Sequence, residues 1–254
     1  MLDEILPDTL FAYLLVFSRV GSALMVMPGF GEAFLPARIR LMIALGVSLV
    51  LHALVAPAIP ALPGSPIVLV GLIGGEVMIG LFLGFLAQMM LIAMHTAGMI
   101  VAFQIGFGNV LAFDPAVAGQ GSVTGVFLGM LALLLVFVTD THHLFLQAIV
   151  RSYALFVPGQ LLPLADVSQG LARALARSFS LAVQISAPFL VAGLLFYIGI
   201  GLLARLMPQI QVFFVALPLQ IVLGLAVLML VTSAMSLTFI DALRDVFAGG
   251  ILGS

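Results

Sequence analysis

Residues 67–103 read IVLVGLIGGEVMIGLFLGFLAQMMLIAMHTAGMIVAF, with one carboxylate, Glu76, no arginine and no proline. About 20 apolar residues suffice for a helix to cross a bilayer, so this run is longer than one upright span needs. Helix is the expected state, because in lipid every backbone N–H and C=O must find its partner within the chain. Five further apolar runs flank it: Thr9–Met27, broken only by Arg19, then Leu41–Ala56, Val123–Val138, Ser178–Ala204 and Gln209–Ile240. Pro28, Gly29, Gly31 and Pro36 end the first run, and Pro57, Pro60, Pro63 and Pro66 form a connector that cannot be helix interior. The pattern predicts an all-α polytopic membrane protein of about six long helices. Pro188 and Pro218 should kink or split the last two, and a broken segment separates the third from the fourth.

Composition supports this reading. Of 254 residues, 64% are hydrophobic and 7% charged, and the mean hydropathy is +1.36. A soluble domain carries roughly 25% charged residues, so most of this surface must face acyl chains or other apolar protein. All eight basic residues are arginine and the net charge is −2, which leaves no basic field for nucleic acid. Without cysteine there are no disulfides, thiolate metal sites or thiol nucleophiles. The first residues carry Asp3 and Glu4 and no basic residue, unlike a secretory signal, so the first apolar run should remain in the protein. Arg38 and Arg40 after the first helix favour that loop inside.

Several residues are candidates for a role. Ionisable groups inside apolar runs point to function by default: Glu76, Asp114, Arg19, Arg151 and Arg205, with Gln88, His95, Gln104, Gln184 and Gln220 as neutral polar companions. Gln88 and His95 share a helix face, whereas Glu76 is rotated from Gln88 by about 120°. These groups either line an aqueous path or pair between helices, pairing being the expectation for Arg19 and Arg205. Gly80 and Gly84, and Gly121, Gly125 and Gly129, recur every four residues. Such stripes let a second helix approach closely, within the chain or between subunits. Asp166 and Gln169 resemble a capping box, opening either a short interfacial helix or the next long one.

Enzyme motifs are absent. His142 and His143 are adjacent and diverge by about 100° on a helix, a poor arrangement for one metal. Ser122 and Ser152 lack a nucleophile-elbow context, and nothing local pairs Asp114 with Asp140 as acid and base. The segment AFQIGFGNVLAFDPAVAGQGSVTG, residues 102–125, is too apolar for a solvent loop and too broken for a span. Asp114-Pro115 rules out a smooth helix. It reads as a re-entrant element lining a cavity, or else as a loop at the membrane interface.

The ordered set Gly75-Glu76-x-x-x-Gly80-x-x-x-Gly84-Phe85, Ala97-Gly98, Gln104-x-Gly106-Phe107 and Asp114-Pro115 resembles the FliR family of flagellar and virulence-associated type III secretion. Pro36-x-Arg38-x-Arg40, Thr139-Asp140-Thr141-His142-His143 and Pro208-Gln209-x-Gln211-Val212-Phe213-Phe214-x-x-x-Pro218 match as well. Asp140-Thr141 departs from the Asn-Gly expected there. The resemblance implies a subunit without cofactor or catalysis, in the bacterial inner membrane at the flagellar basal body. With FliP and FliQ, and with FlhB associated, it would form a gate of kinked helical hairpins for unfolded export substrates. Residues 1–165 would form a FliP-like part, with a plug segment at 104–122, and residues 166–254 a FliQ-like hairpin. In the plug, Phe107, Leu111 and Phe113 would seal the channel, Gly106, Gly108 and Gly121 would act as hinges, and Asp114-Pro115 would lie in the same loop. The alternatives are a virulence-type gate subunit, or a stand-alone transporter using Glu76, Gln88 and His95 as an ion path.

Overall fold

A computed structural model describes residues 2–56, 59–107, 122–159, 164–207 and 212–247. All secondary structure among them is helical: α1 Leu2–Val26, α2 Ala37–Val55, α3 Pro66–Ile105, α4 Val123–Val138, α5 His142–Leu155, α6 Leu164–Leu206 and α7 Val212–Asp245. Five are long and apolar enough to cross a membrane, and the α4–α5 pair makes a sixth if counted as one broken span. The protein is therefore a polytopic, all-helical membrane protein.

Helix lengths follow from where the breakers fall. Free of proline between residues 67 and 103, α3 runs unbroken for 40 residues, about 60 Å at 1.5 Å per residue. That is twice a hydrocarbon core of about 30 Å. Its Pro66 occupies the first position, where no N–H is needed. α6 has 43 residues and retains Pro188, and α7 has 34 and retains Pro218. Both prolines thus lie within continuous helices and split neither. α6 starts at Leu164, so the Asp166 region supplies the first turns of the long helix and not a separate interfacial one.

The α4–α5 break has a local cause. Ser122 caps α4, its Oγ accepting the Gly125 N–H at 3.2 Å. After α4, Asp140 takes a φ of 56°, a left-handed conformation that short polar side chains tolerate. The helix cannot continue through it.

The chain divides into two compact units, residues 1–90, 140–175 and 244–254, and residues 91–139 and 176–243. In the first, Leu15, Val16, Val20 and Ala23 of α1 are buried with Leu83 and Leu86 of α3 and with Phe145 and Ile149 of α5. Tyr13 of α1 donates to the Leu45 carbonyl of α2 at 3.0 Å. In the second unit, Val101 and Ile105 of α3, Leu128 and Ala132 of α4, Ile185 and Phe189 of α6 and Phe239 of α7 form the buried set. Burial is uneven. In the most apolar stretches, 61% of α3 lies inside the chain, against 11% of α6 and 6% of α7.

Candidate functional site

Two polar centres stand out, one in each unit. In the first unit, Arg19 and Glu76 face each other with side chains 0% and 4% exposed. Arg19 Nε donates to Glu76 Oε2 at 2.5 Å, and Nη2 donates to Oε1 at 3.0 Å, a bidentate fork. Nη2 also donates to the Phe156 carbonyl at 2.9 Å, and Nη1 to Ser152 Oγ at 3.1 Å. The guanidinium lies 3.9 Å from the centre of the Tyr153 ring, close enough for a cation–π contact. Glycine makes this possible. A Cβ on Gly80 would fall on Ser22 Oγ and the Arg19 carbonyl, and one on Gly84 would lie 2.7 Å from the Ala23 carbonyl oxygen. The stripe Gly80-x-x-x-Gly84 thus lets α1 and α3 approach closely enough for Arg19 and Glu76 to meet.

In the second unit, the last turn of α3 is held between α6 and α7. Gln220 of α7 is buried, and its Nε2 donates to the Gln104 carbonyl at 2.8 Å and to the Tyr197 hydroxyl at 3.2 Å. A Cβ on Gly193 would strike the Gln104 side-chain oxygen, and one on Gly224 would lie 2.5 Å from Ile105 Cγ1. Beside this contact is a cavity of about 20 Å³, lined by Gln104, Phe189, Gly193, Gln220 and Gly224 among others. That is room for one water. The chain leaves α3 at Gly106, whose φ of 94° lies in a region that glycine enters without steric cost.

The remaining sequence candidates fall as follows. His95 is half-buried, its carbonyl and ring lying against Gly125 and its ring against Gly129. Those two glycines therefore pack within the chain. Gly98 comes nearer still, a Cβ there falling 2.5 Å from Gly125 Cα, and Thr124 Oγ1 donates to the Gly98 carbonyl at 2.6 Å. Gln88 is half-buried, and Arg205 is exposed at the end of α6. Phe107 is half-buried. Gly108, Leu111, Phe113, Asp114, Pro115 and Gly121 lie outside the described residues. The expected divergence of His142 and His143 needs correction: their ring centroids are 4.2 Å apart. One ligand atom each from Asp140, His142 and His143 lies within 4.8 Å of the others. The reason is local. His143 Nδ1 lies 3.2 Å from the Asp140 carbonyl, which holds its ring over the turn instead of away from it.

Sequence reasoning singled out Glu76 and Arg19 but not the groups that complete their site, Ser152, Tyr153 and the Phe156 carbonyl. Neither Gly193 nor Gly224 belongs to a four-residue stripe, so no periodicity marked them. Only their contacts with α3 do.

Residues 10–246 match the family described as bacterial export proteins, family 1. The chain belongs to this export family. Within it, the flagellar biosynthetic protein FliR of Caulobacter vibrioides is 40% identical over 91% of this chain and 92% of its own length. FliR of Bacillus subtilis is 31% identical over 95% and 92%. The Yop proteins translocation protein T of Yersinia pestis is 27% identical over 87% and 85%. The family is thus the FliR export-gate family of type III secretion, a secretion component of the membrane.

Proposed function

We propose that the chain is a non-enzymatic core subunit of the flagellar type III export gate, in the inner membrane at the basal body. With FliP and FliQ, and with FlhB associated, it forms the channel for unfolded flagellar subunits, and the segment Gly106–Gly121 seals that channel when closed. The observation that carries this reading is the uneven burial of apolar helix. The most apolar stretch of α7 is 6% buried and that of α6 11%, although both helices exceed the length of one span. Helices of this length and exposure fit a subunit completed by neighbouring hairpins, with residues 1–165 acting as the FliP-like part and 166–254 as the FliQ-like hairpin. The flagellar relative at 40% identity, against 27% for the Yersinia translocation protein, favours a flagellar over a virulence system.

Sealing by the apolar side chains Phe107, Leu111 and Phe113 needs no catalysis, only a segment able to move aside. Gly106, with its left-handed φ, is a suitable pivot. A stand-alone transporter relying on Glu76 has less support, because both Glu76 oxygens are engaged by Arg19.

Deleting residues 106–114 tests the reading. The expected result is a membrane leaky to ions and small molecules while FliP still co-purifies. An assembled complex with no added leak sinks the plug.

A further inference from the structure

The turn that opens α5 gathers a carboxylate and two imidazoles that neither polar centre uses. Asp140, with its φ of 56°, stands just before the helix, and His142 and His143 are its first two residues. On a regular helix, adjacent side chains splay by about 100°. Here the two rings lie beside each other, their centroids 4.2 Å apart and their planes 37° from parallel. One ligand atom from each of the three residues lies within 4.8 Å of the others. Among the described residues, no other three carboxylate or imidazole groups converge in this way.

Two imidazole nitrogens and a carboxylate oxygen are a donor set that suits zinc and its divalent neighbours, with a fourth position left for water. Zinc holds such donors at about 2.0–2.2 Å, which places them about 3.3–3.6 Å from one another in a tetrahedron. Side-chain rotation can supply that closure, because Asp140 and His143 are both exposed. The His143 ring already has the support that a ligand needs. Its Nδ1 lies 3.2 Å from the Asp140 carbonyl. A carbonyl oxygen only accepts, so Nδ1 carries the proton and the Nε2 lone pair is left for a metal. Metal-binding imidazoles are held in this manner, the second nitrogen donating to a carbonyl or carboxylate.

Access and charge agree with this assignment. An exposed carboxylate is costly in hydrocarbon, so this turn faces water and a hydrated cation can reach it. The positive end of the α5 dipole opposes a cation. The Asp140 carboxylate offsets that charge, which makes it the ligand the site can least spare. We propose that Asp140, His142 and His143 form a binding site for a divalent transition-metal ion, zinc foremost, that ties the first turn of α5 to the turn before it.

Direct zinc binding by the full-length protein, purified from membranes and stripped with a chelator, tests the proposal. In competition with a fluorescent zinc chelator, the wild type should bind a single zinc per chain. Cobalt in its place should show the intense visible absorption of a four-coordinate ion. Asp140→Asn keeps the shape and removes the charge, and His143→Gln removes a ring nitrogen. Each should weaken binding by about 100-fold or more, at least as much as losing an outer-shell partner. His52→Gln, which removes an imidazole elsewhere, should leave binding unchanged. Zinc should also raise the melting temperature of the wild type and not that of Asp140→Asn. Should a variant fail to fold, the wild type decides alone: substoichiometric zinc, or cobalt with the pale spectrum of its aqua ion, overturns the site. Equal affinity in wild type and Asp140→Asn overturns it as well, and so does a loss in His52→Gln as large as that in His143→Gln.

Discussion

In the first unit, α1 and α3 are joined by a bidentate ion pair, with Ser152, Tyr153 and the Phe156 carbonyl gathered on the same guanidinium. In the second, α3 meets α6 and α7 through glycines, one amide and a cavity with room for a water. The energetics of the two junctions differ in kind. Separating a charge pair inside an apolar region leaves two unsolvated ions, so that junction resists opening and has no cheap intermediate. Separating an amide from a carbonyl costs about one net hydrogen bond, and a nearby water can replace it. The first unit is built to stay closed. The second has a contact that can be made and remade.

The largest effect should therefore come from splitting the pair. Arg19→Leu or Glu76→Leu alone strands a buried charge and should cost about 3–5 kcal/mol, read as loss of protease-resistant protein from the membrane. The double variant should recover much of that loss, since it removes both ions. A double variant as damaged as either single one would place the importance of Arg19 in its contacts with Ser152 and Phe156 instead. Next comes the glycine stripe that brings the pair together. Gly84→Ala must displace the α1 backbone at Ala23 and should cost about 1–3 kcal/mol, again measured by recovery of assembled protein. Gln220→Leu should cost less, about 1 kcal/mol, the net worth of the hydrogen bond it gives up to the Gln104 carbonyl, read by the same recovery. Least of all should come from Gly199→Ala in α6, where nothing lies within 4 Å of the added Cβ. There the change should be neutral, or stabilising by up to about 1 kcal/mol through helix propensity. A large loss at Gly199 would mean that a partner helix packs at that position.

How much of this could be read in advance depended on the residue. Helix existence was legible throughout, because long apolar runs have one stable form in lipid and prolines and glycines bounded them clearly. The prolines at 188 and 218 left open whether the last two helices kink or split, and both helices run on through them: a helix already nucleated on both sides keeps its register through a missing N–H. Gly80 and Gly84 stood out because contact along a helix repeats every four residues. Gly193 and Gly224 did not, since each serves a single crossing and no period records it. Glu76 and Arg19 were visible as misplaced charges, but their mutual contact spans 57 positions, a separation on which local pattern is silent. The adjacent histidines misled for a different reason. Angular divergence around a helix assumes side chains that point outward, whereas His143 folds back onto the carbonyl of Asp140.

The continuity of α3 has a consequence for how the chain can vary. Glu76 and Gly84 both meet α1 from one uninterrupted helix, at Arg19 and at Ala23, so both appointments are kept by a single count of residues. Exchanging one apolar side chain for another between them changes only local fit. Inserting or removing a single residue would turn everything downstream by about 100° and shift it by about 1.5 Å, breaking one appointment to keep the other. Between these two anchors the helix behaves as a gauge: its spelling is free to drift while its length is not.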